Sequence, residues 1–126
     1  MEGSRFLKIL VAEDEPEMLR SYKLLLEDMG YEVVTAKDGQ ECLDAYRLAK
    51  MQTGSFDLVI LDYKMPRKNG MEVAQEIVAM SPTQRLLMIT AYEGIIDPTQ
   101  RPENMKVIGK PYDVDELVGM IKHLAH

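Results

Sequence analysis

The chain has one cysteine, no long apolar run and fewer positive charges than negative ones. A lone Cys42 cannot close an internal disulfide, so a reducing, cytoplasmic setting is expected. Cys42 falls on the apolar side of a helical pattern, where a thiol serves as core packing. No unbroken apolar run exceeds four residues, so membrane insertion is not expected. Fifteen basic residues against 21 acids leave a net charge of −6. That balance argues against direct binding to nucleic acid or to an anionic membrane surface. Met1-Glu2-Gly3-Ser4-Arg5 lacks the apolar stretch of a signal peptide. What remains is a 126-residue chain, 46% apolar, with no repeat, linker or low-complexity tract. It reads as one domain over residues 6–126 behind a short tail, 1–5.

Two apolar periods alternate along it. Phe6 to Ala12 is a near-continuous apolar run, the pattern of a strand buried on both faces, and further strands are expected at Tyr31 to Ala36, Phe56 to Asp62, Arg85 to Thr90 and Lys106 to Gly109. Glu15-Pro16-Glu17 opens a helix, with Pro16 in its first turn and the stripe Met18, Tyr22, Leu25, Leu26, Met29. Asp38-Gly39 turns into a second helix with Cys42, Ala45, Tyr46 and Ala49 inward. Gly70 leads into a third, with Val73, Ala74, Ile77 and Val78 inward. A last helix carries Val114, Leu117, Val118, Ile121 and Leu124, and a capping box between Asp113 and Glu116 is expected at its start. His123 and His126 read as solvated. The stretch from Tyr92 to Met105 breaks the alternation, because Pro98 and Pro102 bar a regular helix and leave at most a short turn. The order implies an α/β fold: a parallel sheet with helices on both faces.

The chemistry lies where apolar strands end in charge. Glu13 and Asp14 follow Ile9-Leu10-Val11-Ala12, Asp62 closes Leu58-Val59-Ile60-Leu61, and Lys110 closes Val107-Ile108-Gly109. Buried strand ends are costly places for ions. In a parallel sheet they share the edge where open α/β folds place their sites. Clustered carboxylates repel, and a hard divalent cation such as Mg²⁺ relieves them using few protein oxygens. Asp14, Asp62 and one backbone carbonyl are a fitting supply, with Glu13 more suited to an outer position. A carboxylate can also attack phosphorus and carry an acyl phosphate. Lys110, the Thr90 hydroxyl and the cation would then face the three phosphoryl oxygens, with small Ala91 leaving the site open.

Together these residues make the chain resemble a response-regulator receiver domain over essentially its whole length. The match rests on Glu13-Asp14, on Asp62 followed by Met65-Pro66 and Gly70, on Thr90-Ala91 and on Lys110-Pro111. The resemblance implies a flavodoxin-like (βα)5 fold with sheet order 2-1-3-4-5. It implies Mg²⁺ held by Asp14, Asp62 and the backbone carbonyl of Lys64. It implies phosphoryl transfer to Asp62 from a histidine kinase or a histidine phosphotransfer protein, and a cis Lys110-Pro111 bond.

Two departures bear on the output. Receivers of this type usually carry Tyr or Phe three residues before the lysine; here it is Val107, so an aromatic swing there is not the readout. The fourth helix of the family is short or missing. Lys64 and Tyr92, two residues past Asp62 and Thr90, flank the path of attacking water in the family and are expected to influence acyl-phosphate lifetime. The expectation is a signalling domain that docks an unknown downstream protein, passes phosphate onward or is part of a hybrid kinase. It is not expected to be an enzyme beyond its own phosphorylation and dephosphorylation. A phosphatase of the haloacid-dehalogenase kind needs two acids two residues apart after the first strand, and Glu13-Asp14-Glu15 lacks that Asp-x-Asp. A phosphate-independent pseudo-receiver is the other alternative; retention of Asp14, Asp62, Thr90 and Lys110 counts against it.

Overall fold

A computed structural model describes residues 7–52, 54–91 and 93–126. Five parallel strands form one sheet in the order β2-β1-β3-β4-β5. They are β1 (Lys8–Ala12), β2 (Glu32–Ala36), β3 (Leu58–Asp62), β4 (Leu86–Thr90) and β5 (Met105–Gly109). The helices are α1 (Pro16–Asp28), α2 (Gly39–Met51), α3 (Gly70–Met80) and α4 (Val114–Ala125). Among the described residues between β4 and β5 there are two single 3-10 turns, Glu93–Ile95 and Pro98–Gln100, and no regular helix, as expected from Pro98 and Pro102.

The sheet separates two apolar layers. Leu10, Val59, Leu61, Leu86 and Met88 face α2 and α3, while Ile9, Val11, Ile60, Leu87 and Ile89 face α1 and α4. Every residue of β3 and β4 is buried, which explains why both read as continuous apolar runs. Register sets the site: Ala12 pairs with Leu61, Asp62 with Ile89 and Thr90 with Gly109. The ends of β1, β3, β4 and β5 therefore open onto one edge.

The strands are shorter than the apolar runs. β2, β3 and β4 begin after Tyr31, Asp57 and Arg85, while Met105 joins β5; Phe6 lies outside the described residues. Two details at α4 need correction. Val114 is 57% exposed, because it sits in the first turn, beyond the stripe formed by Leu117, Ile121 and Leu124. No capping box forms with Glu116: Asp113 accepts instead from the Asp115 N–H, the other donor within reach of an N-cap aspartate. A capping box does form at α3. Asn69 accepts from Glu72 N and Glu72 accepts from Asn69 N, each at 2.9 Å. His126 is exposed, as expected, but its Nε2 lies 3.4 Å from the Tyr31 hydroxyl.

Candidate functional site

Asp62 is the last residue of β3 and is 8% exposed. Glu13 follows β1 and is 2% exposed, its backbone N–H donating to Ala36 O at 3.1 Å. Its Oε2 accepts from Glu15 N at 3.0 Å. Its Oε1 is buried with no hydrogen-bond partner. Asp14 is exposed at the rim. One carboxylate oxygen from each of Glu13, Asp14 and Asp62 falls within 4.8 Å of the others. Lys110 reaches in from the end of β5: its Nζ is 3.1 Å from Asp62 Oδ1 and 3.6 Å from Glu13 Oε1. The second distance is an ion pair beyond hydrogen-bond range, which is why Oε1 stays unsatisfied. The Lys110-Pro111 bond is cis, as the resemblance implied.

The electrostatics follow from this crowding. Burial pushes the Asp62 carboxyl above the usual carboxylate range; the Lys110 ammonium pulls it back only in part, and Asp14 pushes further. Burial also raises Glu13, against the hydrogen bond from Glu15, with the Asp62 charge adding to the rise. For Lys110, burial favours the neutral amine, but Asp62 and Glu13 outweigh it and hold the ammonium above the ordinary lysine value. One cation thus stands against three carboxylates, leaving an excess of negative charge.

Around them lies a cleft of about 250 Å³, lined by Asp14, Asp62, Lys64, Thr90, Ala91 and Lys110. Thr90 is 1% exposed, and its carbonyl accepts from Lys110 N at 2.8 Å, locking the ends of β4 and β5 together. Tyr92 lies outside the described residues. A larger groove, about 560 Å³, lies around Tyr46, Phe56, Arg85 and His126, and none of the charged strand ends lines it.

Asp62 and Lys64 are held in place by the β3–α3 connection. Gly70 N donates to Tyr63 O at 2.7 Å, and Tyr63 N to Ile89 O at 3.1 Å. A Cβ on Gly70 would lie 2.6 Å from Asp62 O and 2.7 Å from Met88 Sδ, so only glycine lets α3 start this close to the strand. Arg67, at φ 72°, places its guanidinium 3.4 Å from Asp38 Oδ2, and Lys68 pairs with Glu76 at 2.8 Å. Sequence reasoning passed over Asn69, Arg67 and Lys68. The Asn69-x-x-Glu72 spacing was the one legible signal, a capping box starting one residue before Gly70.

All the residues singled out above, Glu13, Asp14, Asp62, Lys64, Thr90 and Lys110, meet at this one site. Three carboxylates, one with an unsatisfied buried oxygen, suit a hard oxygen-seeking cation such as Mg²⁺.

Comparison with known proteins gives a consistent picture. A family model described as the response regulator receiver domain matches residues 9–122. The response regulator TrrA of Thermotoga maritima, solved with Mg²⁺ and beryllofluoride, superposes with a TM-score of 0.80 at 35% identity, covering 94% of this chain and 99% of that one. TrrA in complex with the histidine kinase ThkA gives 0.78, again at 35% identity, over 94% and 98% of the two chains. The transcriptional regulatory protein PdtaR of Mycobacterium tuberculosis is 32% identical over 91% of this chain. The chain spans only 55% of PdtaR, but 95% of the receiver protein CpdR of Brucella abortus, which is 29% identical over 93% of this chain.

Proposed function

The chain belongs to the response regulator receiver family of two-component signalling, and we propose that it accepts a phosphoryl group on Asp62 from a phosphohistidine and thereby switches its affinity for a partner. The observation that carries this reading is the placement of a buried Asp62 between Lys110 and two further acids at the mouth of an open cleft.

In this reading Asp62 contributes a carboxylate oxygen that forms the new O–P bond as the P–N bond to the donor histidine breaks, the electron pair returning to the imidazole. Burial leaves its pKa raised, the Lys110 ammonium offsetting this only in part, and it is the ionised carboxylate that attacks. Lys110 then moves its hydrogen bond from Asp62 Oδ1 to a phosphoryl oxygen. The Thr90 hydroxyl takes another, at the end of the strand beside Asp62. Asp14, Asp62 and the Lys64 carbonyl would hold Mg²⁺, with Glu13 behind them. When bound, the ion supplies positive charge against the incoming phosphoryl oxygens.

The donor is a histidine kinase or a histidine phosphotransfer protein; the complex of the 35%-identical TrrA with a histidine kinase supports that class. The receiver domain works in the cytoplasm, and it catalyses only its own phosphorylation and dephosphorylation. No helix among the described residues is long and apolar enough to cross a membrane. Output is by protein docking, without direct nucleic-acid contact. Val107, half-buried and packed among the core residues on the α2/α3 side, offers no aromatic ring to swing. The readout therefore falls to the segment after Thr90. Lys64, at the cleft wall, influences how long the acyl phosphate lasts.

Beryllofluoride, a stand-in for the phosphoryl group, tests this. With Mg²⁺ present it should shift the amide resonances of Asp62 and Thr90 and of residues 92–105. Unchanged spectra at saturating Mg²⁺ and beryllofluoride would refute the switch.

A further inference from the structure

Lys110 directly follows β5, and something beyond the strand must hold it. The last strand-like hydrogen bond is Lys110 N to Thr90 O at 2.8 Å. Pro111 follows with no N–H to offer, and Asp113 already belongs to the cap of α4. Between them Tyr112 turns back toward α1. Its ring packs against the apolar layer on the α1/α4 side, and its hydroxyl donates to the Tyr22 hydroxyl at 3.0 Å. Tyr22 lies in the middle of α1, 5% exposed and set among core side chains, so it is a fixed anchor. Burial pushes the Tyr22 hydroxyl far above the ordinary phenol range, and the Glu13 and Asp62 charges add to this. Tyr22 therefore stays neutral at any working pH.

We propose that Tyr112 is a positioning residue, whose hydrogen bond to Tyr22 straps the loop after β5 to α1 and so holds the Lys110 ammonium between Asp62 and Glu13. The inference rests on the reading of Asp62 as phosphoacceptor. A lysine side chain gives up much rotamer freedom when fixed, so its backbone must be well placed for the head to stay on target. The ammonium sits 3.1 Å from one carboxylate and 3.6 Å from the other. A shift of about 1 Å at the loop would remove both contacts, a displacement of the size that costs activity in positioned sites. The α1 end of the strap is continuous with the Glu13-Asp14 loop, so one helix orders both the acids and, through Tyr22, the lysine.

The test is a double-mutant cycle on the full chain. Beryllofluoride affinity at saturating Mg²⁺ is measured for wild type, Tyr112→Phe and Tyr22→Phe, each also combined with Lys110→Ala. Either phenylalanine keeps the ring and removes only the hydroxyl. Each should weaken beryllofluoride by about three- to tenfold, the value of one hydrogen bond, while affinity for Mg²⁺ alone stays within about twofold. In the Lys110→Ala background the same changes should cost nothing further. Equal losses in both backgrounds would mean that the tyrosines only support the fold, which overturns the proposal. So would wild-type affinity in Tyr112→Phe, or a neutral Tyr22→Phe beside a weakened Tyr112→Phe. A wild type that fails to bind beryllofluoride at all would instead defeat the phosphoacceptor reading from which the strap takes its meaning.

Discussion

The connection from β3 to α3 and the connection from β4 to β5 both leave the functional edge of the sheet, and they are held in opposite ways. The first is short and tied to distant parts of the chain. Tyr63 bonds to Ile89 of β4 and Arg67 reaches Asp38 across the fold, while Lys68 pairs with Glu76 of the helix that follows; Met65 is buried and Gly70 is pressed against Asp62 and Met88. The second is longer and, among its described residues, is bonded largely within itself. Thr99 donates to Asp97, Gln100 N to Asp97 O, Arg101 N to Pro98 O and Met105 N to Pro102 O. Buried Ile96 and the Asn104–Pro82 hydrogen bond are its firmer attachments. A connection clamped by long-range contacts can preset a metal and phosphate site. One held by local contacts can rearrange at small cost. The proposed site therefore stands on the rigid connection, and the proposed readout on the adaptable one.

The sharpest way to break this contrast is Gly70→Ala. A Cβ there meets the Asp62 carbonyl and Met88, so the variant should lose about 2–3 kcal/mol of stability, read by denaturant melts, together with beryllofluoride binding. A near-wild-type melt would show that the first connection is not tightly packed. Next is Asn69→Ala, which removes the α3 cap and should cost about 1 kcal/mol. Asp97→Ala, the matching deletion in the second connection, should leave the melting temperature unchanged, since that aspartate stabilises only its own exposed turn. Equal losses from the two would erase the difference between the connections.

Smaller effects sharpen the acidic pocket. Asp14→Asn removes one of three mutually repelling carboxylates. It should stabilise the metal-free protein by about 0.5 kcal/mol, a modest gain because Asp14 is exposed and screened, while weakening Mg²⁺. A lower melting temperature without metal would contradict the repulsion. The pH dependence has a defined sign. Glu13 and Asp62 titrate above the usual carboxylate range in the folded state, so the folded protein binds protons more readily than the unfolded one there. The contribution of these two groups is full below the unfolded carboxylate pKa and is lost as pH rises through their raised folded values. Acidifying the metal-free protein from neutrality into that window should therefore narrow the gap between its melting temperature and that of the Mg²⁺-loaded protein. A gap that widens would reverse the assigned shifts.

How much of this was legible beforehand follows from which contacts are local. Four strands that each end in, or run directly into, a charged or hydroxylated residue are visible as text, and parallel pairing alone brings Glu13, Asp14, Asp62, Thr90 and Lys110 together. The missing helix was legible too, because Pro98 and Pro102 forbid it wherever the segment lies. The Tyr22–Tyr112 bond joins residues 90 positions apart, and no periodicity encodes it. The turn at Arg67 depends on Asp38 across the fold, again beyond any local pattern. At α4 the text allowed two donors to the Asp113 cap, and only the path of the chain selected Asp115 over Glu116.

The central claim is that Asp62 becomes covalently loaded at this site. Intact mass after incubation with acetyl phosphate and Mg²⁺, wild type beside Asp62→Ala, tests it most directly. The account expects a labile gain of one phosphoryl group in wild type and none in Asp62→Ala. The same gain in both proteins, or in neither, would contradict it.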